Sequence, residues 1–258
     1  MTEGTFTPLG GNPLAYCRTN GASKTLPGVM FMGGFRSDMT GTKATYIEAQ
    51  CARRHQSFLR FDYSGHGKSG GQFEQQTIST WLRDSLSVFD KLTKGDQIVV
   101  GSSMGGWLAL LLALERKERV KGLVLIAPAP DFSEDIYQNE FGEEERRHLD
   151  KTGLIYRPSD YGDPYPLSKQ LFEDGRKHLL LKNRIAIRCP VRILHGKQDS
   201  VVPWQKSVTL MDKLSSPDYK AIWINDGDHR LSRNSDLEHL DTLVRELSQL
   251  KRLEAAQE

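Results

Sequence analysis

Short apolar runs and helix-spaced segments alternate along most of this chain, and that alternation constrains its fold more than any other feature. The runs are Pro27 to Met32, Ser57 to Asp62, Gln97 to Gly101, Val120 to Ala127, Val191 to His195 and Lys220 to Asn225. Their near-continuous apolarity suits strands covered on both faces. Parallel strands need a crossover, and helical spacing supplies one at about Lys43 to Arg54, Ile78 to Thr93, Gly105 to Arg116, Pro203 to Leu214 and Leu237 to Leu250. Pro203 suits a first helical turn. The expected fold class is α/β, a mostly parallel central sheet with helices on both faces, and Leu14 to Arg18 is expected to add an antiparallel edge strand.

The rhythm fails between Pro130 and Asn183, where an acidic run, EFGEEERRHLD, and a Pro/Tyr-rich stretch, YRPSDYGDPYPL, offer no convincing buried strand. A structureless loop of that length is rare inside a compact domain, so helix is expected around Glu143 to Lys151 and Ser168 to Leu181. The expected organisation is a core of residues 1–129 and 184–258, with residues 130–183 inserted as a cap or lid. A disordered excursion with no role is the other reading of that insertion.

Composition narrows the partners. A chain of 258 residues, 38% of them hydrophobic, can bury a sizeable core. Its 35 basic and 33 acidic side chains, net +2, are spread along the sequence, so neither nucleic acid nor an anionic membrane is an expected partner. No apolar run approaches the roughly 18 residues of a membrane span, and the opening MTEGTFTPLGGNPL has no targeting pattern, so a cytoplasmic protein is expected. Cys17, Cys51 and Cys189 are odd in number and widely spaced, which suits free buried thiols better than a metal site.

Residues 99–110, VVGSSMGGWLAL, carry the chemistry. Gly101-x-Ser103-x-Gly105 fits a nucleophile elbow, a strand-to-helix turn so sharp that a side chain two positions before or after the serine would collide. That register selects Ser103 over Ser102, because Val100 stands two before Ser102. A helix starting near Met104 would aim its positive end at the turn. Serine is also a common helix N-cap, so the partners decide. A serine nucleophile needs a base, and the base needs a carboxylate, in the chain order serine, acid, histidine. The run Val191 to His195 leads through a glycine turn to Asp199, at the strand end where open sheets place ligand chemistry. The next run leads into Asp226-Gly227-Asp228-His229. Ser103, Asp199 and His229 are therefore the expected nucleophile, acid and base; Asp226 and Asp228 rival Asp199 only by adjacency along the chain. The expected oxyanion donors are the backbone N–H groups of Met104 and Phe35, the latter from the loop Met32-Gly33-Gly34-Phe35-Arg36, which also reads as a plain turn. Such chemistry needs no metal and no organic cofactor.

Taken together, GGFRSDMTGTKA, RFDYSGHGKSGG, VVGSSMGGWLAL, CPVRILHGKQDSVVPW and the late DHR resemble the α/β-hydrolases. Among these they resemble the group of mycophenolic-acid acyl-glucuronide esterases and palmitoyl-protein thioesterases with its bacterial relatives. The resemblance runs from about Gly28 to the final helix. It implies the same triad and oxyanion donors, and hydrolysis of carboxylic esters or thioesters through an acyl-enzyme. Amidases, peptidases and lactonases use the same triad, and the fold also serves as a non-catalytic binding module. The HGGG-type loop of many esterases is here Met32-Gly33-Gly34-Phe35, and a bacterial protein without the targeting extension of the mitochondrial members is expected. Arg36, beside the expected oxyanion donor, and Trp107, past the elbow, are candidate substrate contacts; a solvated or salt-bridged Arg36 is the competing reading. Asp62 and His66 are expected to be structural turn residues, and His195 to pack or hydrogen-bond at a strand end. Cys189 stands outside any nucleophile context, and His55, His148, His178 and His239 are expected on the surface.

Overall fold

In the computed structural model, which describes residues 1–159 and 162–250, strands β1 (Thr2–Phe6) and β2 (Leu14–Thr19) pair antiparallel at one edge of the sheet. Next come β3 (Gly28–Met32), α1 (Thr42–Arg53), β4 (Phe58–Phe61), α2 (Ile78–Leu92), β5 (Gln97–Ser102), α3 (Met104–Glu115) and β6 (Val120–Ile126). A segment containing α4 (Phe132–Asp135), α5 (Glu143–Thr152), the hairpin β7 (Leu154–Ser159) and β8 (Gly162–Ser168), and α6 (Lys169–Gly175) then intervenes. The alternation resumes with β9 (Val191–Gly196), α7 (Gln205–Lys213), β10 (Tyr219–Ile224) and α8 (Asn234–Gln249). The main sheet has eight strands in the order β1-β2-β4-β3-β5-β6-β9-β10, parallel throughout from β4 to β10, with β2 antiparallel to its neighbours.

Burial on both faces explains the unbroken apolar runs. Along β5, Ile98 and Val100 join the apolar cluster that holds Ile47 of α1 and Leu240, Leu243 and Val244 of α8, whereas Val99 joins the one that holds Trp107 and Leu108 of α3. The hydrophobic effect on each side, at about 25 cal/mol per Å² of apolar surface removed from water, fixes which residues of a strand face which layer. Register then aligns the C-terminal ends: Ser102 lies opposite Ile126, Ile126 opposite Leu194, and Gly196 opposite Ile224. Everything leaving β5, β9 and β10 therefore emerges at one edge.

Several elements differ from expectation. Strand β1 was not expected, because TEGTF has little apolar content; as an edge strand it is mostly solvated and held by its ladder to β2. The β7–β8 hairpin forms despite Pro158, Pro164 and Pro166, since each strand of a two-stranded ribbon has one side with no ladder to break. Helix α8 starts at Asn234, earlier than the apolar spacing suggests, because the Asp236 carboxylate accepts the Arg233 N–H at 3.1 Å.

The described residues between 130 and 183 contribute no strand to the main sheet. Helices appear where expected, in α5 and α6, and Phe141, Leu149, Leu167, Leu171 and Phe172 join the apolar cluster that contains Trp81 of α2 and Trp107 of α3. Polar clasps reinforce the contact. The Ser79 N–H and O–H donate to Asp174 at 2.7 and 2.8 Å, the Trp107 indole donates to the His178 carbonyl at 3.1 Å, and Lys206 of α7 pairs with Asp135. Cys17, Cys51 and Cys189 are free thiols, the last of them half-buried.

Candidate active site

Ser103 stands between β5 and α3 with φ 54° and ψ −119°, left-handed backbone that strains any residue bearing a side chain. The surroundings hold it there. Its N–H donates to the Ile126 carbonyl at 2.9 Å, and its carbonyl accepts from Gly106 and Ala129 at 2.8 and 3.1 Å. A Cβ on Gly101 would lie 2.3 Å from the Gly105 carbonyl oxygen, and one on Gly105 would lie 2.2 Å from that of Met32. Both glycines are therefore steric requirements of the turn, as the register argument predicts. Ser102 is buried within β5, and Ser103 is partly accessible.

Asp199 follows β9, and His229 lies in the loop after β10. The two meet: the His229 Nδ1–H donates to Asp199 Oδ2 at 2.7 Å. A Cβ on Gly196 would lie 2.2 Å from the Gly227 carbonyl oxygen, so the two loops touch backbone to backbone. The Asp199 side chain has no exposed surface, and its other oxygen accepts the N–H groups of Val201 and Val202 at 2.9 and 2.8 Å. Burial works to raise its pKa, but hydrogen bonds from His195, His229 and Val202 outweigh it and hold the carboxyl well below the usual carboxylate range. An ionised Asp199 fixes the His229 tautomer, leaving Nε2 with a lone pair available to take a proton. Among the described residues Ser103 and His229 share no hydrogen bond; contacts of this kind often close only around a substrate.

The rival acids are occupied elsewhere. Asp226 pairs with the Arg233 guanidinium at 2.6 Å, and Asp228 Oδ1 accepts the N–H groups of Arg230 and Leu231, both at 3.0 Å. His195 hydrogen-bonds at the strand end, as expected, but one of its partners is Asp199 itself. Its Nε2 lies 3.2 Å from Asp199 Oδ2 and 3.0 Å from the Val202 carbonyl, both acceptors, so Nε2 carries the proton and Nδ1 accepts from the Ser207 hydroxyl at 2.7 Å. The spacing His195 to Asp199 across a glycine turn was the available signal, since it returns the carboxylate onto the strand end.

The loop after β3 reaches the same edge. A Cβ on Gly34 would lie 3.4 Å from that of Ser103. The Ser37 N–H donates to the Gly34 carbonyl at 3.1 Å, closing a turn in which Arg36 has φ 57°. Among the described residues the N–H groups of Phe35 and Met104 donate to no other group. The Phe35 ring is the centre of an aromatic cluster, with centroids 4.9 Å from Phe73, 5.8 Å from Trp81, 5.6 Å from Phe132 and 5.9 Å from Tyr165. Arg36 is exposed and lines a polar cleft of about 300 Å³ with Asp38, His66 and Glu74. Trp107 is fully buried and stacks edge-on against Phe132, so the structure places it under residues 130–183 and away from solvent.

His55, His148 and His239 are exposed as expected, whereas His178 is half-buried, with Nε2 2.7 Å from the Ser79 hydroxyl. Asp62 is a turn residue, accepting the N–H groups of Met39 and Lys68 at 2.6 and 2.8 Å. Among the described residues no cluster of three or more His, Cys, Asp or Glu is placed to hold a metal ion, and no helix is long and apolar enough to cross a membrane.

Comparison with known proteins agrees with the fold. The profile of the family described as serine aminopeptidase, S33, matches residues 29–170. Bovine (Bos taurus) palmitoyl-protein thioesterase ABHD10, mitochondrial, is 38% identical over 241 residues, 91% of this chain and 78% of that protein. The solved structure of mouse alpha/beta hydrolase domain-containing protein 10 superposes with a TM-score of 0.88 at 35% identity, covering 96% of this chain and 98% of its own. A candidate hydrolase from Agrobacterium vitis S4 superposes with a TM-score of 0.92 at 39% identity, covering 96% and 98%. With a family profile spanning more than half of it and relatives aligned along nearly all of it, the chain belongs to the α/β-hydrolase family described as serine aminopeptidase, S33, and is a hydrolase.

Proposed function

We propose that the protein cleaves carboxylic thioesters and esters through an acyl-enzyme on Ser103. The observation that carries this reading is the 2.7 Å contact between His229 Nδ1 and a buried Asp199 at the sheet edge where Ser103 sits in strained backbone. His229 Nε2 takes the Ser103 proton as Oγ attacks the acyl carbon, and returns it to the departing thiolate or alkoxide. The Phe35 and Met104 N–H groups, with the positive end of α3 behind the latter, receive the charge that develops on the carbonyl oxygen. Water activated by His229 then releases the acid, and His229 returns the proton to Ser103 Oγ, which restores the free serine.

Residues 130–183 form a cap in this reading, and the rings of Phe132 and Tyr165 against Phe35 support a substrate cleft walled by them. The named activity of the thioesterase relatives makes S-acylated proteins and small acyl thioesters the first substrates to try. Three unpaired cysteines fit a reducing compartment, and the cytoplasm remains the proposed one.

Ser103→Ala is expected to cut turnover of a p-nitrophenyl acyl ester and an acyl thioester by about 10⁴-fold, and a fluorophosphonate probe should label the parent protein but not the variant. Activity that survives the substitution overturns the assignment. The family description favours amide cleavage as a second reading. Rates on ester, thioester and amide substrates with a common acyl group separate the two, and a graded series of acyl lengths with an acyl glucuronide included maps the cap.

A further inference from the structure

His66 takes no part in the cycle above, yet its ring lies against the loop that carries Phe35. The Arg36 N–H donates to His66 Nε2 at 3.1 Å, and His66 Nδ1 lies 3.3 Å from the Ser64 carbonyl, which can only accept. These partners select one form of the ring: neutral, with its proton on Nδ1 and its Nε2 lone pair facing the Arg36 amide. Burial favours the same form. It pushes the pKa of His66 down to about 4 against the pull of the Ser64 carbonyl, and the Arg36 charge acts in the same downward direction. Contacts to Tyr63, Phe73 and Trp81, with centroids at 5.5, 5.0 and 5.4 Å, fix the plane of the ring.

A second anchor holds the other end of the loop, where the Tyr63 hydroxyl donates to the Gly33 carbonyl at 3.2 Å. The segment from Gly33 to Arg36 is thus tied at its first carbonyl and its last amide, with the Phe35 N–H between the two ties. Oxyanion donors act because they are already aimed before charge develops, so whatever fixes their direction affects the rate. We infer that His66 is a positioning residue for the oxyanion, accepting the Arg36 N–H and, together with Tyr63, holding the Phe35 N–H in line. This rests on the proposed role of Phe35 and therefore on the acyl-enzyme reading.

His66→Phe keeps a ring among the same neighbours and removes the acceptor, whereas His66→Gln offers an amide oxygen in its place. Expected for His66→Phe on a p-nitrophenyl acyl ester is a fall in kcat of about 10- to 100-fold with little change in KM. His66→Gln should recover most of that loss, and Tyr63→Phe should lower kcat by a smaller factor. A His66→Phe enzyme with the parent kcat, or a loss that His66→Gln shares in full, shows that the ring only packs and overturns the inference. Ser103→Ala measured alongside separates the two levels: if it is dead, an unaffected His66→Phe refutes the positioning role alone. If Ser103→Ala stays active, the acyl-enzyme reading fails and this inference falls with it. The unsubstituted protein gives an independent check through the ¹⁵N shifts of its histidines at pH 7, where His66 should be neutral with the proton on Nδ1. An Nε2–H tautomer or an imidazolium there overturns the proposal however the variants fold.

Discussion

Gly105 has no room for a single methyl group, and that is the most local constraint on the site. An alanine there would put its Cβ against backbone of Met32 and Gly33 that the sheet holds in place. Gly105→Ala is expected to lower the unfolding free energy by about 3 kcal/mol or more in urea titration, a cost of overpacking that a flexible side chain would relieve and a backbone carbonyl does not. Asp199→Asn should leave the fold intact while reducing kcat by about 10⁴-fold, because an amide can hold the wrong His229 tautomer; Asp228→Asn should leave turnover near that of the parent. The glycine register around Ser103 and the strand ends before Asp199 and His229 were legible because sterics and sheet order are written locally. The bonds of His195 to Asp199 and of His66 to Arg36 were not, since a histidine's role depends on which atoms its ring reaches after the loops have docked.

Among the described helices, α3 is distinct in burying every residue from Met104 to Ala113, so only its last two residues meet solvent. It lies in the layer between the sheet and residues 130–183, where the loss of one large side chain leaves a hole that neighbours cannot fill. Leu110→Ala is expected to cost about 2–5 kcal/mol by chemical denaturation, with turnover of the remaining folded enzyme preserved. Parallel strands and crossover helices announce themselves through apolarity and spacing, which is why β3, β4, β5, β6, β9 and β10 were readable. The solvated β1 and the proline-bearing β7 and β8 were not, because their stability comes from a partner strand and leaves little mark on composition.

For the molecule as a whole, buried ionisable groups set a contest on the acid side. Burial raises the pKa values of Asp62, Asp84 and Asp131, so those carboxyls favour the folded state as pH falls. His66 acts in the opposite sense. The unfolded chain protonates it near 6.5 and the folded chain only near 4, so between those values the unfolded state binds more protons and stability drops with pH. The stability difference between the parent protein and His66→Phe should therefore shrink by about 3 kcal/mol from pH 7 to pH 4, read from denaturation curves at each pH. Asp199, depressed by its histidines, keeps its contribution until much stronger acid. The Phe35 ring carries a consequence for modular engineering of this scaffold. Trp81 and Phe73 touch it from the body of the protein, Phe132 and Tyr165 from residues 130–183. A chimera that imports another enzyme's segment to alter chain-length preference would strip two supports from the residue proposed to receive the oxyanion. Selectivity and bond-breaking speed would then change together unless both rings travel with the graft.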